Sequence, residues 1–315
     1  MDILDIHSEL KHFRSNGVTL NLDERVNLEM ALMKLQVSSK AEELHLWGKV
    51  TGLYADYYIA VAYAFSGMYE FPVKKFFWAL SKGELEFQEM PELNDQHKVA
   101  VNSGNHAYFE GNPKKKLVSV TKTGEEGAEA EAAPEKEAAD EEGAEGGAKA
   151  KDNLSDISEE EEIRVIPKDL SELDRLAYVV FAIENDCTLA PLGAFKMTPT
   201  HQVRRNEAFR GLPPQSAESL QLRSYLHFRN VQTQEYRDQL DQPGAPFNAG
   251  FLEPIEHDFP RGQWTVQAAD QDDVVNVRSL QWPGFVFYHK RGTKKFGNLY
   301  IGDGLKNDEL HFMIQ

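Results

Sequence analysis

The residues best suited to chemistry are the run Glu256, His257 and Asp258, the single thiol of Cys187 with His201 beyond it, and the polar group Asp303, Asn307, Asp308 and Glu309. Imidazole and carboxylate together suit a zinc site or acid–base catalysis. However, adjacent residues of an extended chain point to opposite faces, and no second His or Cys stands at helical ligand spacing from the triplet. A thiol with an imidazole base would be a nucleophile; a lone cysteine after an apolar helix is more readily a small buried hydrophobe. The Asp303–Glu309 oxygens are the right kind for calcium but do not follow the spacing of an EF-hand loop. Phosphate-loop, dinucleotide-turn, zinc-protease and nucleophile-elbow patterns do not occur. Lys114 to Lys116, Arg204 and Arg205 with Arg210, and Lys290 and Arg291 with Lys294 and Lys295 are short basic clusters. Their best reading is a set of solvated faces rather than a phosphate-binding tract. The expectation is therefore a non-enzymatic protein with no catalytic, cofactor-binding or metal residues and no nucleic-acid partner.

The elements that would carry these residues are legible from period. Asn21 or Asp23 can cap a helix running through Val37. Val26, Met30, Met33 and Val37 recur in it at spacings of three and four, an apolar face for the core or for a partner helix. From Leu44 to Val50 the period becomes two, and Tyr57 to Phe65 is rich in aromatic and β-branched residues, so the pair reads as an antiparallel hairpin. Lys75–Leu80 and Leu117–Val120 are further strand candidates. Leu170–Glu184 is an amphipathic helix with Leu173, Leu176, Val180 and Ile183 on one face, and Ser216–Phe228 and Val231–Leu240 are expected helices. The last third returns to strands at Gln263–Gln267, Val274–Leu280, Gly284–Tyr288 and Asn298–Ile301, divided by turn signals such as Pro283-Gly284 and Asp303-Gly304. Strands at both ends with helices between predict an α+β fold, one antiparallel sheet completed by distant segments.

Composition separates a third part. Between Gly124 and Glu162 stand sixteen acidic residues and three lysines, so 13 of the chain's 17 net negative charges fall there and about −4 is left for the rest. From Gly124 to Lys151 the segment has no aromatic or β-branched residue and is broken by glycines and Pro134. It cannot bury enough apolar area to offset the roughly 1–2 kcal/mol per residue that ordering a backbone costs. The expected organisation is 1–122 and 163–315 as two parts of one domain, with 123–162 a disordered acidic insertion. One cysteine permits no intramolecular disulfide and fits a reducing compartment. The start MDILDIHSELKHF carries acids where a secretion signal is positive, and the longest weakly charged apolar run, Tyr57–Phe65, is about half of a membrane span. A soluble, intracellular protein with no membrane partner is expected.

Several segments taken in order carry a resemblance. They are WGKVTGLYADYYIA from Trp47, FRGL from Phe209, SYLHFR from Ser224, and Glu256-His257-Asp258 with PRGQW from Pro260. VRSLQWPG from Val277 and FGNLYIGDGLKNDELHFMI from Phe296 complete the set. The chain resembles the radial spoke head proteins of motile cilia and flagella over about Asp23 to Ile314, the acidic run excepted. The resemblance implies a structural component of the axonemal spoke head in the ciliary cytoskeleton. It also implies partners: other spoke head proteins, a second copy of itself, and, transiently, the projections of the central microtubule pair, through which mechanical signals reach the dynein motors. Trp47, Tyr57, Tyr58, Trp282 and Tyr288 are the candidate interface residues, with the core as the other home for such side chains. The competing reading is an acidic chaperone or histone-binding module that holds a basic client with the insertion.

Overall fold

The computed structural model describes residues 1, 6–17, 19–65, 70–103, 108–117, 170–214, 217–242, 244, 248–269 and 273–314. The acidic segment 123–162 and most of the expected strand Leu117–Val120 lie outside the described residues. The helices are α1 (Ile6–Glu9), α2 (Leu22–Ser39), α3 (Asp95–Ser103), α4 (Glu172–Cys187), α5 (Gln234–Leu240) and α6 (Leu310–Met313). The first eight strands are β1 (Glu43–Val50), β2 (Tyr57–Ala64), β3 (Val73–Leu80), β4 (Gln88–Glu89), β5 (Leu189–Pro191), β6 (Phe195–Met197), β7 (Val203–Arg205) and β8 (Tyr225–His227). The last four are β9 (Trp264–Ala269), β10 (Val274–Ser279), β11 (Phe285–Lys290) and β12 (Phe296–Gly302).

Eight strands form one sheet in the order β4-β3-β2-β1-β12-β11-β10-β9. Every neighbouring pair is antiparallel except β1 with β12, which is parallel and joins the N-terminal and C-terminal strands. The fold is α+β. Period-two alternation decides which core each side chain enters. Tyr57, Ile59 and Val61 of β2 and Phe285 and Phe287 of β11 face α4, where they meet Leu176, Val180 and Ile183. Tyr58, Ala60 and Ala62, with Val286 and Tyr288, face the N-terminal helices and pack on Phe13, Leu28 and Leu32. β5–β8 and β6–β7 are two small accessory sheets with a third core around Phe195, Leu226 and Phe228.

A bulge in β1 between Leu46 and Gly48 resets its phase. Leu44 and Leu46 enter the N-terminal core, whereas Trp47 and Val50 enter the α4 core. Gly48 sits where β1 crosses β12 most closely, with φ +156°, and a Cβ built on it would stand 2.0 Å from the Tyr300 carbonyl oxygen. Only a residue without a side chain permits this approach.

Two expectations from the sequence need correction. The α2 stripe Val26, Met30, Met33 and Val37 is not the face that packs: these residues are 42%, 53%, 41% and 82% exposed, and Leu28, Ala31, Leu32 and Leu35 are buried instead. Both sets have helical spacing, so α2 carries apolar stripes on opposite sides, and leucines fit the sheet. The helix expected over Ser216–Phe228 is instead two short 3-10 turns (Ala217–Leu220 and Leu222–Ser224) followed by β8. Tyr225 is fully buried, its hydroxyl donates to the Ser219 carbonyl at 2.5 Å, and β8 pairs with β5, so tertiary pairing wins over local helix propensity. The helices expected through Val37, over Leu170–Glu184 and over Val231–Leu240 form as α2, α4 and α5, whereas α1, α3 and α6 go beyond the expectation. Asn21 and Ser171 each form a capping box, with Glu24 and Asp174, that sets the start of α2 and α4.

Gly48→Ala should lower the unfolding free energy by more than about 2 kcal/mol. Gly244→Ala, where an added Cβ meets nothing within 4 Å, should stay within about 0.5 kcal/mol of the parent. Chemical denaturation of the two variants is the check.

Candidate functional site

The five aromatic interface candidates are all inside this chain. Trp47, Tyr57, Tyr58, Trp282 and Tyr288 are at most 7% exposed, and each sends its polar tip to a carboxylate on or beside a helix. Trp47 Nε1 donates to Glu184 Oε2 at 2.9 Å, and Trp282 Nε1 donates to Asp186 Oδ2 at 3.0 Å. The Tyr57 hydroxyl donates to Glu172 Oε1 at 2.6 Å and the Tyr58 hydroxyl to Glu24 Oε1 at 2.7 Å. The Tyr288 hydroxyl donates to Glu9. Their work in the structure is to pin helices on the sheet, and the surface open to a partner is built from other residues.

Glu184 also receives a cation. Lys74 Nζ lies 2.7 Å from its Oε1, donates to the Phe228 carbonyl at 3.0 Å and sits over the Phe228 ring. Burial raises the pKa of Glu184, but the Lys74 ammonium and hydrogen bonds from Lys74, Thr188 and Trp47 outweigh it, so the carboxyl is held below its ordinary value. Glu172, at the other end of α4, accepts from the backbone N–H groups of Glu110, Gly111 and Asn112 at 3.2, 2.8 and 3.0 Å. On the opposite face of the sheet, Lys49 bridges Glu24 and Asp56 at 2.8 Å each. Burial disfavours charge on Lys49, yet the two carboxylates raise its pKa above the ordinary value.

The residues singled out for chemistry are separated by the fold. Glu256 and His257 are exposed on a 3-10 turn. Asp258 turns inward and binds Nε2 of His227 at 2.8 Å and accepts from Trp264 Nε1 at 2.7 Å. His227 and Trp264 thus hold the chain at the entrance to β9. Cys187 is 1% exposed in the α4 core, and burial pushes its thiol well up, away from the reactive thiolate; His201 stands exposed in the turn between β6 and β7. Asp303 accepts from the Leu305 N–H at 3.0 Å and Asn307 donates to the Leu280 carbonyl, which are turn-forming contacts. Among the described residues no group of three or more His, Cys, Asp or Glu could hold a metal ion, and no helix is long and apolar enough to cross a membrane. The basic clusters have local partners: Arg205 pairs with Glu43, Arg291 with Asp273, Lys115 with Glu110, and Lys294 donates to the Glu207 carbonyl.

Among the described residues, several of the exposed large apolar side chains fall into groups. One group is the outer side of α2, with Leu22, Val26, Met30, Met33 and Val37; a second is the tip of the β1–β2 hairpin, with Leu53 and Tyr54. A third is Phe259 with Phe312 and Met313 of α6. Sequence reasoning found the first group but missed the carboxylates that pin the core. Their signal was present: Glu172 and Glu184 stand four residues before Leu176 and four after Val180, on the apolar face of α4.

A scaffold whose reactive side chains are tied up in folding and whose apolar groups face outward has the make of an interaction protein. The chain belongs to the radial spokehead-like protein family, whose model matches residues 1–182. Full-length relatives agree. The radial spoke head protein 9 homologs of Danio rerio and Homo sapiens are each 29% identical, and that of Xenopus tropicalis is 30% identical, over 100% of both chains in every case.

Two outcomes test the buried polar groups. Glu184→Leu leaves Lys74, 17% exposed, without its counter-ion and should cost about 3–5 kcal/mol. Adding Lys74→Met to it should recover at least half of that, read by denaturant titration as a double-mutant cycle. His289 is fully buried; its Nδ1 faces the Lys295 carbonyl and its Nε2 accepts the Leu212 N–H at 3.1 Å. Burial lowers its pKa from 6.5 to about 4. Between those values the unfolded chain binds a proton that the folded chain does not, so stability falls as pH falls through this window, by ~1.4 kcal/mol per unit. His289→Gln should therefore lose about 2 kcal/mol less than the parent between pH 7 and pH 5, measured by unfolding at both values.

Proposed function

We propose that this chain is a non-enzymatic structural component of the radial spoke head in the axoneme of motile cilia or flagella. The observation that carries the reading is similarity over the whole chain to radial spoke head protein 9 homologs of fish, mammals and amphibians. The fold is consistent with it: two helical layers are locked on one sheet by buried polar bonds, while apolar residues of α2, the β1–β2 tip and α6 remain at the surface. A firm scaffold with several small contact faces suits a particle that binds other spoke head proteins and a second copy of itself.

Contacts with central-pair projections complete the proposal. They must form and release at every beat, which favours small, polar interfaces over large apolar ones. Parts 1–122 and 163–315 act as one domain in this reading, and the acidic segment 123–162 adds a local negative field that reaches about a Debye length, roughly 8 Å at physiological salt.

Salt extraction of axonemes followed by gradient sedimentation tests the assignment. The chain should migrate with a large complex that contains the other spoke head proteins. Migration as a small free species would overturn it, and a salt-labile complex with histones in place of the spoke particle would establish the acidic-chaperone reading instead.

A further inference from the structure

The outer side of α2 has more order than an accidental patch. Its exposed residues Asp23, Val26, Met30, Met33 and Val37 follow one another at spacings of three, four, three and four, and exposed Lys40, the left-handed C-cap residue, stands just past the last helical turn. That is the a/d spacing of a coiled-coil seam, with an acid at its start, four apolar positions after it, and a base at the cap just beyond its end. The inner stripe Leu28, Ala31, Leu32 and Leu35 already secures the helix to the sheet. The seam therefore lies exposed on the far side of an 18-residue helix, about 27 Å long. Beside it runs a groove of about 690 Å³ between α2 and the β3–β4 turn, lined by Met30, Leu35, Leu85 and Phe87.

We propose that this seam is the self-association surface and that it receives α2 of a second copy in antiparallel orientation. Charge complementarity selects both occupant and direction. Laid antiparallel about a twofold axis, Met30 meets the partner's Met33, Val26 meets the partner's Val37, and Asp23 meets the partner's Lys40, each twice by symmetry. The flanking positions place Asn27 beside the partner's Lys34 and Glu29 beside the partner's Gln36, so no like charges face each other. The parallel arrangement would set Asp23 against the partner's Asp23 and Lys40 against the partner's Lys40. The antiparallel pair also sets the positive end of each helix dipole beside the negative end of the other. Four apolar layers and a bordering groove make a modest interface, so the dimer is concentration-dependent.

This pairing deepens the self-association proposed above. It is measured on the purified full chain, whereas spoke-head membership is measured in axonemes, so each reading fails separately. Analytical ultracentrifugation of the parent chain should show a reversible dimer. Met30→Glu with Met33→Glu, both at exposed positions, should abolish it while leaving thermal unfolding unchanged. Asp23→Lys should weaken it about tenfold by setting like charges at both ends, and adding Lys40→Asp should restore affinity to within about threefold of the parent. That rescue requires the antiparallel register; its failure would overturn the arrangement. A parent chain that is monomeric at every concentration, or a dimer indifferent to the glutamates, would overturn the seam itself. If the parent is monomeric but the glutamate variant is lost from spoke particles, the seam takes a helix from another protein, and the second-copy proposal is wrong.

Discussion

Everything on the α4 side of this molecule depends on the burial of two carboxylates, Glu172 and Glu184. Removing a carboxylate from water costs several kcal/mol unless hydrogen bonds and an opposite charge replace the solvent. Glu172 obtains that replacement from Tyr57 and three backbone N–H groups, and Glu184 from Trp47, Lys74 and Thr188. Apart from Thr188, which caps α4 itself, these partners lie on β2, on the 110–112 loop, on β1 and on β3. Twelve residues of helix, about 18 Å, separate the two acids, so α4 is clamped near both ends. Apolar contact through Leu176, Val180 and Ile183 would tolerate a slide along the sheet, because hydrophobic burial is non-directional. The carboxylates do not tolerate it, since a shift of one turn would leave an acid buried and unpaired. Dispersed apolar packing supplies the stability, and the acids choose the register.

The opposite face uses the same device with a weaker hold. Glu24 in the first turn of α2 closes the capping box with Asn21, accepts from Tyr58 and pairs with Lys49. Burial raises the pKa of Glu24, and these partners bring it below the ordinary value. Only one end of α2 is anchored in this way; the rest is held by leucines. That difference explains why α4 is buried along its whole inner face whereas α2 keeps one side in water. It also explains how α2 can offer a surface to a partner without loosening the domain, because the outer stripe does not contribute to the anchoring.

Much of this was legible in the sequence, and the failures share one cause. The alternation along β1, the aromatic and β-branched run of β2, the turn-bounded runs of β10 and β11, Asn21 as one of the two residues able to start α2, and the amphipathic face of α4 are local signals, and the structure follows them. The inner face of α2 was not legible, because Val26, Met30, Met33 and Val37 and Leu28, Leu32 and Leu35 both recur at helical spacing; only the shape of the sheet distinguishes them. Strands β5 to β8 are three residues long, too short for a period to appear. The burial of Trp47 and Tyr57 depends on acids 137 and 115 residues away. An indole or phenol in isolation reads as interface or core alike, and the distant carboxylate settles which it is.

The distribution of charge bears on how such a protein meets its neighbours. With 13 of 17 net negative charges between Gly124 and Glu162, the rest of the chain is close to neutral. A near-neutral surface exerts little steering force on a partner, so selectivity there must come from short-range fit: apolar stripes, the charges that terminate them, and the grooves beside them. The pairing proposed for α2 would meet that requirement, its four apolar residues setting the strength of an encounter and the charges at its two ends the direction. A surface of this kind discriminates by register rather than by attraction at a distance, the same logic by which Glu172 and Glu184 fix α4 on the sheet inside the chain.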